Sequence, residues 1–164
     1  MTNEGNMSPR IDITKYLTSG PARAILALQR EVQSSGLEHS LLELMKIRAS
    51  QINGCAYCID MHTKDARARG ETEQRIYALN AWRESPFYTD RERAALEWTE
   101  SLTLVSKTHV PDAVYEDVRK HFTEAEVVAL TFAVVAINGW NRLAISFRAP
   151  AGTYQPKAEV ARSG

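Results

Sequence analysis

Helical periodicity runs through nearly the whole chain. Apolar side chains recur three and four positions apart rather than alternating, and only six prolines punctuate the sequence. After a loose N-terminal arm, Pro21 opens a predicted helix to about Ser34, with Ile25, Leu28 and Val32 facing inward, and Gly36 ends it. A second helix, from about Glu38 to Asn53, sets Leu41, Leu42, Met45, Ala49 and Ile52 on one stripe. Asn53-Gly54 is a break, and Cys55 stands near the start of a third helix that stops at Gly70. Thr72 to about Trp82 makes a fourth, followed by a loop at Ser85-Pro86. Asp90 is placed to cap a fifth helix running through Leu96, Trp98, Leu102 and Val105. Pro111 fits the first turn of a sixth, reaching His121. Thr123 and Glu126 form a capping box for a seventh, which continues to about Phe147.

The expectation is therefore an all-α, single-domain helical bundle of about seven helices covering residues 1–164, with an arm over about 1–15 and a tail over about 152–164. From Val127 to Ile137 the last helix is apolar nearly all round, more than one packing surface can cover. That pattern predicts a helix that is both central to the bundle and part of a subunit interface, hence an oligomer.

Composition limits the functions open to such a bundle. Twenty basic side chains balance twenty acidic ones, so no net field draws the chain to nucleic acid or an anionic membrane. Met1 to Pro9 is polar and lacks the apolar core of a signal peptide. Val127 to Ile137 is too short to span a bilayer and runs into Asn138, Asn141 and Arg142. The expected compartment is cytoplasmic, where thiols are kept reduced and paired cysteines are more often catalytic or metal-binding than structural.

The chain has two cysteines, and both lie in Cys55-Ala56-Tyr57-Cys58-Ile59-Asp60-Met61-His62. At about 100° per residue, Cys55, Cys58 and His62 fall within a wedge of roughly 60°, shared or flanked by Ile59 and Ala66. Cys58 and His62 are an i, i+4 pair, close enough for an imidazole to take or share the thiol proton. Cys55 and Cys58, one turn apart, have a spacing that permits a disulfide, and a helix start favours a thiolate. The alternatives are half of a structural zinc site, or simple burial. A zinc site ordinarily needs a second pair of ligands, and His39, His109 and His121 are scattered.

The run Glu43-(eleven residues)-Cys55-x-x-Cys58-x-x-x-His62 resembles the active-site signature of the carboxymuconolactone decarboxylase superfamily, in its alkyl hydroperoxidase D (AhpD)-like branch. Met45 to Gly54 and Ile137-Asn138-Gly139-Trp140-Asn141-Arg142 extend the likeness over about 37–147. The resemblance implies a homo-oligomer (trimer or hexamer) with thiol-dependent peroxidase or disulfide-exchange activity. It assigns Cys58 as the peroxide-attacking thiol, Cys55 as its resolving partner, and Glu43 and His62 to a proton relay. Tyr57 departs from the pattern, because the characterised hydroperoxidases carry a histidine there. By helical phase alone, Glu43 lies opposite Leu41, Met45 and Ile52 and reads as a solvated glutamate; only the resemblance places it at the site.

The leading expectation is a peroxidase that reduces hydrogen peroxide or a small organic hydroperoxide through a Cys58–Cys55 disulfide cycle. No nucleotide- or flavin-binding loop is evident, so no cofactor is expected and an external thiol or dithiol supplies the electrons. A dithiol relay to a partner protein disulfide is the second reading, and a non-catalytic oligomer with a metal-binding or redox-sensing cysteine pair is the third. His109 reads as a loop residue, His121 as a complement to a helix C-terminus, and Asn138, Asn141 and Arg142 as a buried hydrogen-bond network, with a substrate role as their second reading. Trp82, Trp98 and Trp140 are expected in cores or interfaces.

Overall fold

In the computed structural model, which describes residues 8–157, every regular element is helical. The α-helices are α1 (Gly20–Gln33), α2 (His39–Asn53), α3 (Ala56–Ala68), α4 (Glu73–Ala78), α5 (Asp90–Thr103), α6 (Val105–Thr108), α7 (Asp112–His121) and α8 (Glu124–Phe147). Two 3-10 turns, Ile13–Tyr16 and Leu79–Ala81, complete the set. The described residues thus hold eight α-helices where periodicity predicted about seven.

The extra helix arises where the expected fifth one divides. Leu104 leaves helical geometry (φ −99°, ψ 30°), and α6 is a single following turn. The Thr108 hydroxyl donates to the Ser101 carbonyl at 2.7 Å, a side-chain bond that competes with the helical ladder. The cap of α5 is Thr89 rather than Asp90: its hydroxyl accepts the Glu92 N–H while Glu92 accepts the Thr89 N–H. The expected fourth helix is α-helical only to Ala78 and then tightens into the 3-10 turn. At α8 the capping box of Thr123 and Glu126 forms as its spacing predicts.

Helix α2 is buried nearly all round, from Leu41 to Ile47 and again at Ala49 and Ser50, because α3, α5 and α8 pack against it. One core cluster joins α1, α2, α5, α7 and α8 through side chains such as Val32, Met45, Trp98, Val118 and Leu130. A second joins α2, α3, α4 and α5 through Leu44, Ile47, Ala66, Ile76 and Leu96. Each fully buried leucine or isoleucine here contributes about 1.5–3 kcal/mol by leaving water. Glu100 ties α2 to the outer layer, accepting from Arg48 at 2.6 Å and from the Trp82 indole at 2.8 Å.

By length and composition α8 could cross a bilayer. It is instead a packed core helix: Val127, Leu130, Ala133, Val134 and Ile137 are buried, and Asn141 is fully enclosed. The inner side takes the central place expected of it. Val128, Phe132 and Val135 form an i, i+4, i+7 stripe on the outer side, each about half exposed.

Residues 152–157, expected as part of a loose tail, lie along α3. Arg148 turns the chain back in the left-handed region (φ 55°), and Lys64 then donates to the carbonyls of Gly152 (3.3 Å) and Tyr154 (3.0 Å). The first residues of the expected arm and the last of the expected tail, 1–7 and 158–164, lie outside the described residues.

Thr123→Ala removes the hydroxyl that accepts the Glu126 N–H and is expected to cost about 1 kcal/mol. In urea denaturation followed by circular dichroism, the midpoint should fall at unchanged slope.

Candidate active site

The thiols are placed by the turn between α2 and α3. Gly54 adopts φ 71°, ψ 34°, a conformation costly for any residue with a Cβ. Its N–H returns to the last turn of α2, and the Cys55 N–H donates to the Ser50 carbonyl at 3.0 Å. Cys55 is left in extended geometry as the N-cap of α3, and its sulfur accepts the Cys58 N–H at 3.4 Å. A sulfur thus occupies the position where a hydroxyl or carboxylate oxygen usually caps a helix. Both cysteines are free, and each is 1% exposed.

One proton is shared unequally by this pair. The Cys58 thiol donates to Cys55; against the cost of burial, that bond, the Cys58 amide and the Asn141 side chain bring Cys55 down to about 7. The same bond, burial and the adjacent negative sulfur push Cys58 well above its ordinary value. These directions favour Cys55 as the carrier of the pair's first negative charge, at the positive end of α3.

Glu43 and Lys46 reach the site from α2, and His62 from α3. Glu43 accepts from Lys46 at 2.8 Å through Oε1 and is bonded to His62 Nδ1 at 2.9 Å through Oε2. Glu43 and Lys46 are each 7% exposed and His62 is 6% exposed. Burial raises the Glu43 carboxyl, but the His62 bond and charge together with Lys46 outweigh it and hold Glu43 at about 2. Because that lies below the ordinary 4.5, the pairing favours the folded chain above that value, and the gain is lost as pH falls toward 2.

Periodicity alone had put Glu43 in solvent, and the structure corrects this. Packing of α3 covers the face in question, so the carboxylate is interior and paired. All four expected residues are buried in the α2–α3 layer. They divide into two groups, however: the imidazole is bonded to Glu43, and among the described residues no hydrogen bond joins it to either thiol. A cavity of about 20 Å³, room for roughly one water, lies against His62 and Lys46 and is walled by Val32, Ala133, Ile137 and Trp140.

Three contributors were not singled out for the site from the sequence. Asn141 was expected in a structural network, which it does join: it accepts from Asn53 at 2.8 Å and donates to Ser50 at 3.0 Å. Its side chain also lowers both thiols. Asn138 and Arg142 belong to the same network. Asp65, one turn beyond His62, and Tyr154, whose hydroxyl donates to it at 2.8 Å, are the others. The i, i+3 spacing of His62 and Asp65 was a readable signal for the first; nothing local marks Tyr154. His39 and His109 are exposed, and His121 closes the basic last turn of α7.

Glu43, His62 and Asp65 each offer a donor atom within 4.8 Å of the others, a spacing that could hold a metal ion. Lys46 already matches the Glu43 charge and His62 is hydrogen-bonded to it, so the Glu43 carboxylate is satisfied by its own partners. Among the described residues no such group includes the two sulfurs, which leaves a zinc reading of the cysteine pair without its remaining ligands.

The profile of the carboxymuconolactone decarboxylase family matches residues 22–101. An uncharacterized protein, YdfG of Bacillus subtilis (strain 168), is 45% identical over 140 residues, spanning 85% of this chain and 95% of its own. A solved structure from Agrobacterium tumefaciens, of unknown function and described as a candidate antioxidant defence protein AhpD, is 46% identical with a TM-score of 0.85; the match covers 90% of this chain and all of that one. An uncharacterized peroxidase-related protein from Ralstonia eutropha JMP134, described as an alkylhydroperoxidase AhpD core, shares the fold at 20% identity and a TM-score of 0.74, over 93% and 79% of the two chains.

The unequal sharing of the thiol proton is open to direct titration by thiolate ultraviolet absorbance. In Cys58→Ser a hydroxyl takes the place of the thiol that donates to Cys55, and the residue-58 amide stays, so the remaining thiol should titrate below the free value of about 8.5. In Cys55→Ser the remaining thiol should titrate above the free value of about 8.5. The reverse order would put the resting charge on Cys58.

Proposed function

Since this chain belongs to the carboxymuconolactone decarboxylase family, in its AhpD-like branch, we propose that it is a thiol-dependent peroxidase that reduces small hydroperoxides through a Cys58–Cys55 disulfide cycle. The observation that carries this reading is the free dithiol at the start of α3, with one sulfur drawn down to about 7 by its partner thiol, a backbone amide and Asn141. A thiolate populated near neutral pH is what peroxide attack requires.

In this cycle a thiolate sulfur attacks one peroxide oxygen, the O–O bond breaks, and the departing alkoxide takes up a proton to leave as alcohol or water. The second thiol then attacks the sulfenic sulfur, expelling water as the Sγ–Sγ bond forms. An external thiol or dithiol restores both thiols, and the cycle uses no prosthetic group. The family pattern gives attack to Cys58 and resolution to Cys55. With the resting charge on Cys55, Cys58 first passes its proton along the bond the two thiols share. His62 serves as the proton carrier, held in one orientation by Glu43. Tyr57, where a histidine stands in the characterised enzymes, is pushed above its ordinary value by burial and by neighbouring negative groups, so it is no base near neutral pH.

Access favours a small oxidant. Both sulfurs are 1% exposed, and the cavity beside His62 is about 20 Å³. A relay to a protein disulfide, the second reading, would need a sulfur that a bulky partner can reach. For assembly, the stripe of Val128, Phe132 and Val135 on α8 is the surface a second copy of the chain would cover, in a cytoplasmic trimer or hexamer.

Stopped-flow mixing with hydrogen peroxide should consume both thiols, and mass spectrometry should then show one peptide lighter by two hydrogens. Thiols that stay free would refute the cycle. His62→Ala should slow the oxidation on the order of 10²-fold with helicity retained.

In sedimentation equilibrium the chain should be an oligomer. Val135→Glu, at a position 54% exposed, should yield a folded monomer, whereas Val134→Glu, at a position 3% exposed, should unfold the chain. A monomeric parent chain would sink the assembly.

A further inference from the structure

The C-terminal segment after α8 is anchored to α3 more thoroughly than a trailing tail needs. Asp60 accepts the Gly152 N–H at 3.0 Å, Lys64 donates to the Gly152 and Tyr154 carbonyls, and the Tyr154 hydroxyl donates to Asp65 at 2.8 Å. These anchors lie on the same helix that carries Cys58 and His62. Cys58 stands one turn before His62, and Asp65 about one turn after it.

We propose that Tyr154 is a positioning residue of the active site: its hydroxyl holds Asp65 beside the Glu43–His62 pair and so keeps the proton carrier in its working orientation. The inference rests on the peroxidase reading above and adds a residue to its machinery. Asp65 has a carboxylate oxygen within 4.8 Å of both the Glu43 and the His62 donor atoms. Two carboxylates this close repel each other, so the second must be tied down if the imidazole beside them is to keep one geometry. The phenolic donor does so without adding charge. Burial, the bond to Asp65, and the charges of Asp65, Glu43 and Tyr57 all push the Tyr154 hydroxyl upward, so it remains a donor. The same influences place it within electrostatic reach of the site. Glu43 and Lys46 of α2, and Tyr57, Asp60, Lys64 and Asp65 of α3, are the charged or titratable groups around it.

The test compares Tyr154→Phe, Asp65→Asn, the double variant and a chain ending at Ala151 with the full chain. Each is assayed by stopped-flow against hydrogen peroxide and, separately, against the small disulfide cystamine. Tyr154→Phe keeps the ring and removes only the donor. It should slow peroxide reduction about tenfold, the lower end for loss of a group that orients a reactive one. Its pH–rate profile should move, because a carboxylate no longer held in place changes the field at the Glu43–His62 pair. The double variant should lose no more than the slower single one, and the truncated chain should match Tyr154→Phe. Lys157→Ala, on an exposed stretch of the strap, should behave as the parent.

Tyr154→Phe with parental rates and profile against both oxidants would overturn the positioning role, whether or not the truncated chain folds. A slower rate with an unmoved profile would overturn it too, since loss of packing alone does that. If the parent chain reduces cystamine but not peroxide, the peroxidase reading fails while the same comparison on cystamine still decides the Tyr154 role. A parent inert to both oxidants refutes both.

Discussion

A carboxylate in the interior of a protein has to be matched, and Glu43 is matched twice. Lys46, one turn along α2, neutralises it from its own helix, and His62 closes on it from α3. Removing both partners would leave a buried charge exposed to the full cost of desolvation, typically several kcal/mol. The close approach of α3 to α2 is therefore set by electrostatics as well as by the apolar contacts of Leu44, Ile47 and Ala66. That approach fixes where the start of α3 falls, and the thiols are carried there.

At that start the chemistry depends on a different kind of matching. The sulfur of Cys55 does what an aspartate or serine oxygen does at other helix starts, accepting an amide hydrogen in a field that favours negative charge. Gly54 makes this geometry affordable by taking the left-handed turn between the helices. Asn141, fully buried on α8, lowers both thiols and is itself held by donating to Ser50 and accepting from Asn53. Three helices thus converge on the dithiol, and an apolar pocket in the same place would raise both thiols rather than separate them.

The outer layer divides by function. The inner side of α8 completes the core, and its outer stripe remains half exposed. On the other flank the C-terminal strap runs along α3 through Asp60, Lys64 and Asp65, none of which contributes to the hydrophobic core. Polar groups on the outer side of a helix often read as solvated charge; here Asp60 and Lys64 bind backbone and Asp65 binds the Tyr154 hydroxyl. The family fold supports this arrangement without dictating it, since structures that share the fold at about 20% identity need share nothing of these contacts.

Local signals were enough for the helices and for the cysteine pair. Capping at Thr123 and Glu126, the break at Gly54 and the apolar stripe of α2 all depend on neighbours within one turn, and all stand where the spacing put them. The i, i+3 cysteines and the family pattern likewise needed no tertiary information. What only packing decided is the environment of each reactive group. Glu43 was a surface residue by phase and became interior because α3 covers it; both thiols are lowered by Asn141, 86 positions along the numbering from Cys55. Tyr154 reached Asp65 across 89 positions. Periodicity records which side of a helix avoids water, but a pKa or a hydrogen bond depends on what the rest of the chain brings to that side.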